Sequence, residues 1–429
     1  METNALQELT FVKSCLMLDN PINISDCSYE LKQNKTIAID ESAKWSKYSN
    51  TFLFFCTFLA TFYVGSWSDR LGRKFPMLIP PIGTVIASSI NAVLSYYIRW
   101  HPAYFLGSSF ISGITFGSVG IIATTYGYIS DFTHEQSRTK RIAILESMIF
   151  IGGTIGIFVA GAFLGHIDYE RKLNNFVLLF IFEALLSATV VAYIIFRIPS
   201  YSTDNQSSQS PLSFSSLFSL KHVGYSLKTI FRSREDGKRK KILFSLVALC
   251  LIYLGTVVQL FLSFLYVKEM GWTFTDYSNF HSMQFAVEGF ALVCIFPLLQ
   301  RFPRIPDHFI GMLGLFSKCI GLTVFGLSVL SSQHDYMIYS CIALYMFSEF
   351  PVPALRSMLS KTVSPDEKGK IFAFTTILQN MCYLIAFLIM IYLYCTRRIY
   401  VTAYETIEHE DGSITEVCSV VSSEGSVNY

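Results

Sequence analysis

Long apolar segments alternate with short polar ones along most of the chain. Ten of these segments are mostly apolar and have about the 20 residues that a helix needs to cross a lipid bilayer. Because the apolar runs are continuous, they do not fit the alternating strands of a membrane β-barrel. The predicted spans are 49–67, 77–98, 102–130, 142–165, 174–197, 242–267, 277–300, 308–331, 335–359 and 371–395.

A polar stretch, 198–241, divides the spans into two groups of five. Its first part is rich in Ser, Asn and Gln, and its second part is basic. Two groups of spans joined by a cytosolic linker are the plan of many secondary transporters. The sequence therefore predicts five regions, namely an N-terminal segment (1–48), an N-terminal bundle (49–197), the linker (198–241), a C-terminal bundle (242–396) and a polar tail (397–429).

Composition supports a membrane protein. Of the 429 residues, 52% are hydrophobic and 15% are charged, and the mean hydropathy is +0.44. Soluble proteins contain about 25% charged residues, so this chain has too few to cover a water-exposed surface. The net charge of +2 gives no sign of a nucleic-acid partner. We predict an all-α polytopic membrane protein whose main partner is the lipid bilayer.

The distribution of basic residues predicts the orientation. With the N-terminus outside, the predicted inner loops contain nineteen Lys and Arg residues and the outer loops contain four, as the positive-inside tendency requires. Glycosylation sequons at Asn23 and Asn34, near Cys15 and Cys27, independently favour an extracellular or lumenal N-terminal segment. One feature disagrees, because ten spans would leave the basic residues at 397–398 outside. Either 371–395 is not an ordinary single span, or a span is missing before it.

The stretch 65–74 reads GSWSDRLGRK and connects the first two predicted spans. Its glycines allow a very tight turn, and its acidic and basic residues can form charge pairs at the inner face. The pattern resembles the conserved loop between spans two and three of the major facilitator superfamily. The resemblance implies that this loop stabilises one state of a transport cycle, with partners in the next inner loop. The candidate residues of this conformational motif are Gly65, Asp69, Arg70, Gly72, Arg73, Asp131 and Arg138.

Several further stretches resemble solute carrier family 46, which includes the proton-coupled folate transporter. They are 128–131 (YISD), 136–139 (QSRT), 143–147 (AILES) and 353–361 (PALRSMLSK). The resemblance implies a major facilitator fold in which the family's first span is absent and its last two are shortened into 371–395. It also shows departures from the family. The family's histidine in span eight is replaced by Phe285, and residues 268–276 lack the cysteine of a family disulfide.

Ionisable residues inside spans are costly and are functional candidates by default. The family resemblance implies that Glu146 takes part in proton coupling and that Arg356 faces the transport pathway. Alternatively, Glu146 stabilises a helix end and Arg356 reaches the interface. His281 is a second candidate for proton coupling, although it does not match the family's histidine. Further substrate or gate candidates, for which paired structural charges are an equal alternative, are Lys318, Glu183 and Glu288.

The sequence thus predicts a secondary active transporter, proton-coupled, that moves a small organic anion, folate-like or another organic acid, by alternating access. It contains no enzymatic motif and no metal-ligand spacing, and the proton gradient takes the place of a cofactor. We expect a monomer or weak oligomer in the plasma membrane or an endolysosomal membrane. Two alternatives remain open, namely a non-transporting scaffold or receptor, and a transporter whose gene model is incomplete.

Overall fold

The computed structural model describes residues 2–17, 32–72, 74–132, 135–164, 169–199, 237–269, 272, 274–301, 305–328, 334–363, 371, 374–389 and 392. Every regular element in these ranges is helical. The helices are α1 (Glu2–Leu16), α2 (Lys32–Leu71), α3 (Lys74–Tyr96), α4 (Phe105–Ile114), α5 (Gly117–Phe132), α6 (Glu135–Leu164), α7 (Tyr169–Arg197), α8 (Lys238–Glu269), α9 (Phe274–Phe290), α10 (Phe296–Arg301), α11 (Asp307–Leu327), α12 (His334–Leu344), α13 (Pro351–Thr362) and α14 (Phe374–Ile389). Short 3₁₀ segments cover Pro102–Tyr104 and Tyr345–Phe347, and a π-helical segment covers Ala291–Ile295.

Eight helical stretches in the described part of the chain are long and apolar enough to cross a membrane. They correspond to eight of the ten predicted spans. The predicted span 49–67 forms the second half of the 40-residue helix α2, and 371–395 contains the shorter apolar helix α14. The all-helical, multi-pass membrane class predicted from the sequence is therefore confirmed.

Contacts at the helix ends show how the helices alternate in direction. The helix α2 ends at Leu71 and α3 begins at Lys74, and the Lys74 ammonium donates a hydrogen bond to the Ile195 carbonyl near the end of α7, at 2.8 Å. In the second half, Lys361 near the end of α13 binds Asp307 at the start of α11, at 2.6 Å. We call the end of the bundle where α2 meets α3 the turn end. The starts of α6, α8 and α11 and the end of α13 also lie there.

The tight turn between α2 and α3 depends on Gly72. Its φ angle is +80°, a left-handed conformation that glycine adopts without the steric cost that a Cβ atom would bring. The chain can therefore reverse between α2 and α3 within two residues. The backbone conformation of this turn thus explains why the GSWSDRLGRK stretch has a glycine at position 72.

The N-terminal region differs from the prediction of a simple polar segment before the first span. Residues 2–16 form α1, and α2 begins at Lys32, 17 residues before the predicted span. Burial in tertiary contacts stabilises this polar helix, because the Lys13 ammonium donates hydrogen bonds to three carbonyls after α3, those of Tyr97, Ile98 and Trp100, at 3.1–3.2 Å. Hydropathy alone could not predict a helix that depends on such long-range contacts.

Two predicted spans are interrupted. The span 102–130 is broken between α4 and α5, where Phe116 has a φ of 71° and is fully buried. The span 335–359 is broken between α12 and α13, where 345–347 is a 3₁₀ turn and α13 begins with Pro351. Irregular backbone at membrane depth is tolerated only where protein or a water-filled cavity satisfies it. These breaks therefore mark positions of structural or functional constraint.

The two halves of the bundle are in contact through several helices, which include the pairs α6–α9 and α2–α14. Helix α6 packs on α9 so closely that a Cβ atom at Gly153 would lie 2.6 Å from the Phe285 ring. Helix α2 meets α14, where the Asn380 amide donates to the Thr61 hydroxyl at 2.9 Å and the Phe54 ring stacks on Phe387. Glycine on α6 therefore serves the close packing of the halves.

Several predictions fall on residues that the structure does not describe. These are the sequon at Asn23, Arg73, and most of the linker and the tail, 200–236 and 393–429. The other sequon residue, Asn34, lies in the first turn of α2. Cys15 is disulfide-bonded, and the other six cysteines of the described part are free, so its partner lies outside that part.

Candidate functional site

A buried ion pair joins the two halves near the turn end. Glu146 lies on α6 and Arg356 on α13, and the Arg356 Nη1 atom is 2.6 Å from the Glu146 Oε1 atom. The Glu146 side chain is 7% exposed and the Arg356 side chain is 12% exposed, so solvent screens the pair little. The other guanidinium nitrogen, Nη2, donates to the Tyr253 hydroxyl on α8 at 3.1 Å. One arginine thus connects three helices across the interface between the halves.

Local structure explains why Arg356 reaches this position. The helix α13 starts at Pro351, where a proline is favourable because the first helical N–H groups have no partner within the helix. Arg356 follows in the second turn, three residues before the end of its span at Leu359. Glu146 lies two residues after the start of its own span at Ile144. Both residues therefore lie at the same depth, close to the turn end.

A second group of charges lies at mid-depth in the C-terminal half. The Lys318 ammonium on α11 donates to the Thr256 hydroxyl at 2.9 Å and lies 3.4 Å from the Glu349 carboxylate. Glu349 belongs to the break between α12 and α13. The Glu288 carboxylate on α9 is 3% exposed and lies close enough to Glu349 and Lys318 for electrostatic interaction. We call Glu288, Lys318 and Glu349 the mid-depth cluster.

The Glu288 carboxylate is held by neutral donors. Its Oε1 atom accepts hydrogen bonds from the Gln284 amide and from the Ser348 hydroxyl, each at 2.9 Å. Ser348 lies in the same break as Glu349, so this hydrogen bond fixes the break against α9. The arrangement connects α9, α11 and the α12–α13 break through polar side chains inside the membrane.

The remaining candidates lie apart from these two groups. His281 is 7% exposed on α9, where its ring packs against Phe285 at 4.8 Å, and its Nδ1 atom has no hydrogen-bond partner in the described part of the chain. Glu183 is partly buried on α7, which packs mainly on α3. The structure therefore does not place His281 or Glu183 beside the Glu146–Arg356 pair.

The conformational motif is described only in part. Gly65, Asp69 and Arg70 lie in the last turns of α2, Asp131 lies at the end of α5 and Arg138 lies in the first turn of α6. Their backbone positions bring both segments to the turn end, and the positions of their side chains lie outside the described part. The predicted charge pairs between the two loops stay predictions.

The described residues around these groups form no metal-ligand cluster. No cluster of three or more His, Cys, Asp or Glu side chains there could hold a metal ion. A cavity of about 60 Å³ lies between α1, α2 and α4, at the end opposite the turn, and is lined by Thr10, Ser49, Asn50 and Ser109 among others. This cavity contains none of the predicted site residues, and its size suits a few water molecules.

The sequence pattern of the Major Facilitator Superfamily matches residues 42–387. The chain belongs to this superfamily. The family inferred from the GSWSDRLGRK stretch is therefore confirmed, and the ion pair described above joins the two halves of a major facilitator fold.

Curated relatives lie in solute carrier family 46. The chain is 26% identical over 323 residues to the lysosomal proton-coupled steroid conjugate and bile acid symporter SLC46A3 of Gallus gallus, covering 73% of the chain and 65% of that protein. It is 22% identical over 357 residues to the proton-coupled folate transporter of Rattus norvegicus, covering 83% of the chain and 72% of the relative. The match thus spans about two thirds of the length of the chicken protein.

Solved structures share the fold. The human organic anion transporter MFSD10 matches with a TM-score of 0.59 at 15% identity, covering 90% of this chain and 91% of that one. The partially occluded, inward-open xylose transporter XylE of E. coli matches with a TM-score of 0.58 at 12% identity, covering 90% and 89%. At these identities the likeness concerns the fold alone.

Sequence reasoning missed some members of these groups. Tyr253 and Thr256 lie in an apolar run, where neither a tyrosine nor a threonine attracts attention. Ser348 is one of many serines in the chain. Their roles depend on which helices pack together, and the sequence contains no local signal for that.

Proposed function

We propose that the protein is a secondary active transporter that moves a small organic anion together with protons by alternating access. Its membership of the superfamily supports the transporter class. Its likeness to relatives named as proton-coupled carriers of bile acids, steroid conjugates and folate supports proton coupling and an anionic substrate. The name of the chicken relative, a lysosomal symporter, supports an endolysosomal membrane as the location, with the plasma membrane as the alternative.

The Glu146–Arg356 pair carries this proposal. A salt bridge between the halves at the turn end stabilises the arrangement in which the halves are in contact there. In the opposite arrangement the halves separate at that end and the pair must break. A proton on Glu146 removes the attraction, so protonation and opening of the turn end are coupled.

The released Arg356 gives this gate a role in substrate recognition. Its planar guanidinium can bind a carboxylate or a sulfate through two parallel hydrogen bonds. An organic anion that enters from the turn end can therefore bind the Arg356 guanidinium only when Glu146 is not paired with it. This competition favours the passage of an anion together with a proton.

The test is uptake by proteoliposomes containing the purified full-length protein. A radiolabelled steroid sulfate, a bile acid and folate are the probes, each with and without an imposed pH difference. Wild-type protein should concentrate at least one probe only when the pH difference is present. If it concentrates none of them, the proposed function is wrong, and a scaffold or receptor role becomes the better hypothesis.

Variants of the pair test the mechanism. Glu146→Gln should abolish proton-driven accumulation and retain exchange of labelled for unlabelled probe. Arg356→Lys should lower both, because a point charge does not replace the planar fork. The matched control is Lys361→Gln, which breaks an ion pair of the same 2.6 Å length within one half and should behave like wild type. Normal accumulation by Glu146→Gln would show that Glu146 is not the coupling acid.

A further inference from the structure

The mid-depth cluster lies deeper in the membrane than the gate, which is the Glu146–Arg356 pair at the turn end. Lys318 is eleven residues after the start of α11, so it lies roughly 16 Å along the helix from the turn end. Glu288 lies halfway along its span, Thr275–Arg301. Glu349 precedes Arg356 by seven residues, which corresponds to roughly 10 Å along a helix. The cluster and the gate are therefore separate groups at different depths.

Backbone irregularities on two neighbouring elements surround the cluster. The π-helical segment 291–295 begins three residues after Glu288, and Glu349 itself lies in the break after the 3₁₀ turn 345–347. Single π-helical turns in α-helices occur frequently at functional sites, and broken helices at mid-depth form the ion and substrate sites of many transporters. These backbone features point to a binding site independently of the charges.

The charges of the cluster do not balance when both carboxylates are ionised. Lys318 supplies one positive charge, and Glu288 and Glu349 would supply two negative ones. Glu288 is almost fully buried, and its hydrogen-bond donors, Gln284 and Ser348, are neutral. A net negative charge at membrane mid-depth is costly. The cluster is neutral when Glu288 holds a proton and Glu349 alone pairs with Lys318.

Groups on the neighbouring elements do not change this balance. Tyr345, from the 3₁₀ turn, interacts electrostatically with Glu288, and Tyr383 on α14 interacts with Glu349. Both are phenols, which carry no charge at neutral pH. From α6, the side chain facing this part of α9 is Phe150, which is close to Gly289. The described acid on the adjoining part of α6, Glu146, already pairs with Arg356. Among the described residues, Lys318 is thus the cation that offsets the negative charge of Glu288 and Glu349.

We propose that Lys318 is a mid-depth binding site for the carboxylate or sulfate of the substrate, and that Glu349 occupies it when substrate is absent. This inference rests on the proposed transport function and adds a second anion-binding position to it. Lys318 and Glu349 are 12% and 21% exposed and Glu288 is 3% exposed, so the Lys318–Glu349 pair is the more accessible part of the cluster. The Thr256 hydroxyl accepts a hydrogen bond from the Lys318 ammonium at 2.9 Å and donates to the Ile252 carbonyl at 3.0 Å, so it positions the ammonium at this depth.

The exchange takes up one proton for each anion. The anion replaces the Glu349 carboxylate at the Lys318 ammonium, and the displaced carboxylate binds one proton from solvent to become a carboxylic acid. No covalent bond breaks other than those to the transferred proton. The cluster is neutral before and after, because Lys318 pairs first with Glu349 and then with the anion, while Glu288 keeps its proton throughout. Anion binding therefore depends on pH through Glu349.

The test is the pH dependence of KM in the same proteoliposomes, with the probe that wild-type protein transports best. Linkage of one proton to one anion predicts that the wild-type KM rises roughly tenfold per pH unit where Glu349 is ionised. Glu349→Gln mimics the protonated acid, so its KM should be low and should rise less steeply with pH than that of wild-type protein, with Glu146 as the source of the remaining pH dependence. Lys318→Met should raise KM at every pH, and the wild-type pH dependence should persist in the control Asp307→Asn.

The outcomes separate this inference from the proposed function. If wild-type protein transports a probe and Glu349→Gln keeps the wild-type pH dependence of KM, the inference is wrong and the proposed function stands. If Lys318→Met keeps a wild-type KM, the anion does not bind there. Should the single variants misfold, the double variant Lys318→Met with Glu349→Gln removes both charges together. Wild-type transport by that folded double variant would equally overturn the inference. Absence of all transport by wild-type protein would instead refute the proposed function, and this inference with it.

Discussion

Removal of one partner from the Glu146–Arg356 pair should destabilise the protein more than removal of both. The two side chains are nearly buried, and their atoms approach to 2.6 Å. A buried charge that loses its counter-charge costs about 3–5 kcal/mol. The double variant Glu146→Gln with Arg356→Met contains neither charge. Its free energy of unfolding should therefore fall by only ~1 kcal/mol, the contribution of a hydrogen bond such as the one to Tyr253.

The two single variants should differ in how their destabilisation changes with pH. Arg356→Met leaves a buried carboxylate, which a proton can neutralise, so its destabilisation should shrink at acidic pH. Glu146→Gln leaves a guanidinium, which cannot be deprotonated in a protein, so its destabilisation should persist at acidic and at neutral pH. The reason lies in the chemistry of the group that remains rather than in the contact that is lost.

The assay is thermal unfolding of detergent-purified protein, followed with a thiol-reactive dye. Buried free cysteines such as Cys56, Cys341 and Cys382 become reactive on unfolding. A loss of 3 kcal/mol should lower the transition by several degrees, on the scale of roughly 2–4 °C per kcal/mol for a large domain. Lys361→Gln is the control, because Lys361 is 64% exposed and exposed pairs contribute about 0–1 kcal/mol.

The double-mutant cycle gives the decisive result. A coupling energy of about 2 kcal/mol or more, taken as the deviation of the double variant from the sum of the single ones, would support a buried pair that stabilises the contact between the halves. If the single losses simply add in the double variant, the two charges do not stabilise each other. The Glu146–Arg356 pair would then not stabilise the contact between the halves at the turn end.

Two further predictions concern the ends of the bundle. Gly72→Ala should lower thermal stability by about 1 kcal/mol or more, because the φ angle of +80° strains any residue with a Cβ atom; an unchanged melting curve would show that the turn relaxes. Lys13→Met should lower stability by about 1–3 kcal/mol, since three partly buried carbonyls after α3 lose their donor. An unaltered melting temperature for that variant would indicate that water satisfies those carbonyls.

The sequence determined the membrane class, the positions of most spans and the superfamily. Continuous apolar runs are a local property, and their length must match the bilayer, so hydropathy alone locates them. The GSWSDRLGRK stretch identified the superfamily because a two-residue reversal needs glycine at a fixed place, and the structure shows that glycine with a positive φ. The rarity of charges in the spans likewise drew attention to Glu146 and Arg356.

Only the tertiary structure decided which charges meet. Glu146 and Arg356 are 210 residues apart in sequence, and their contact exists because α6 and α13 pack at the same depth in opposite halves. The pairing of Lys318 with Glu349, and the neutral donors around Glu288, depend on the break between α12 and α13. The buried helix α1 depends on carbonyls more than 80 residues away from Lys13. Local periodicity contains no information about such partners, because the energy of a buried charge depends on the groups that surround it in space.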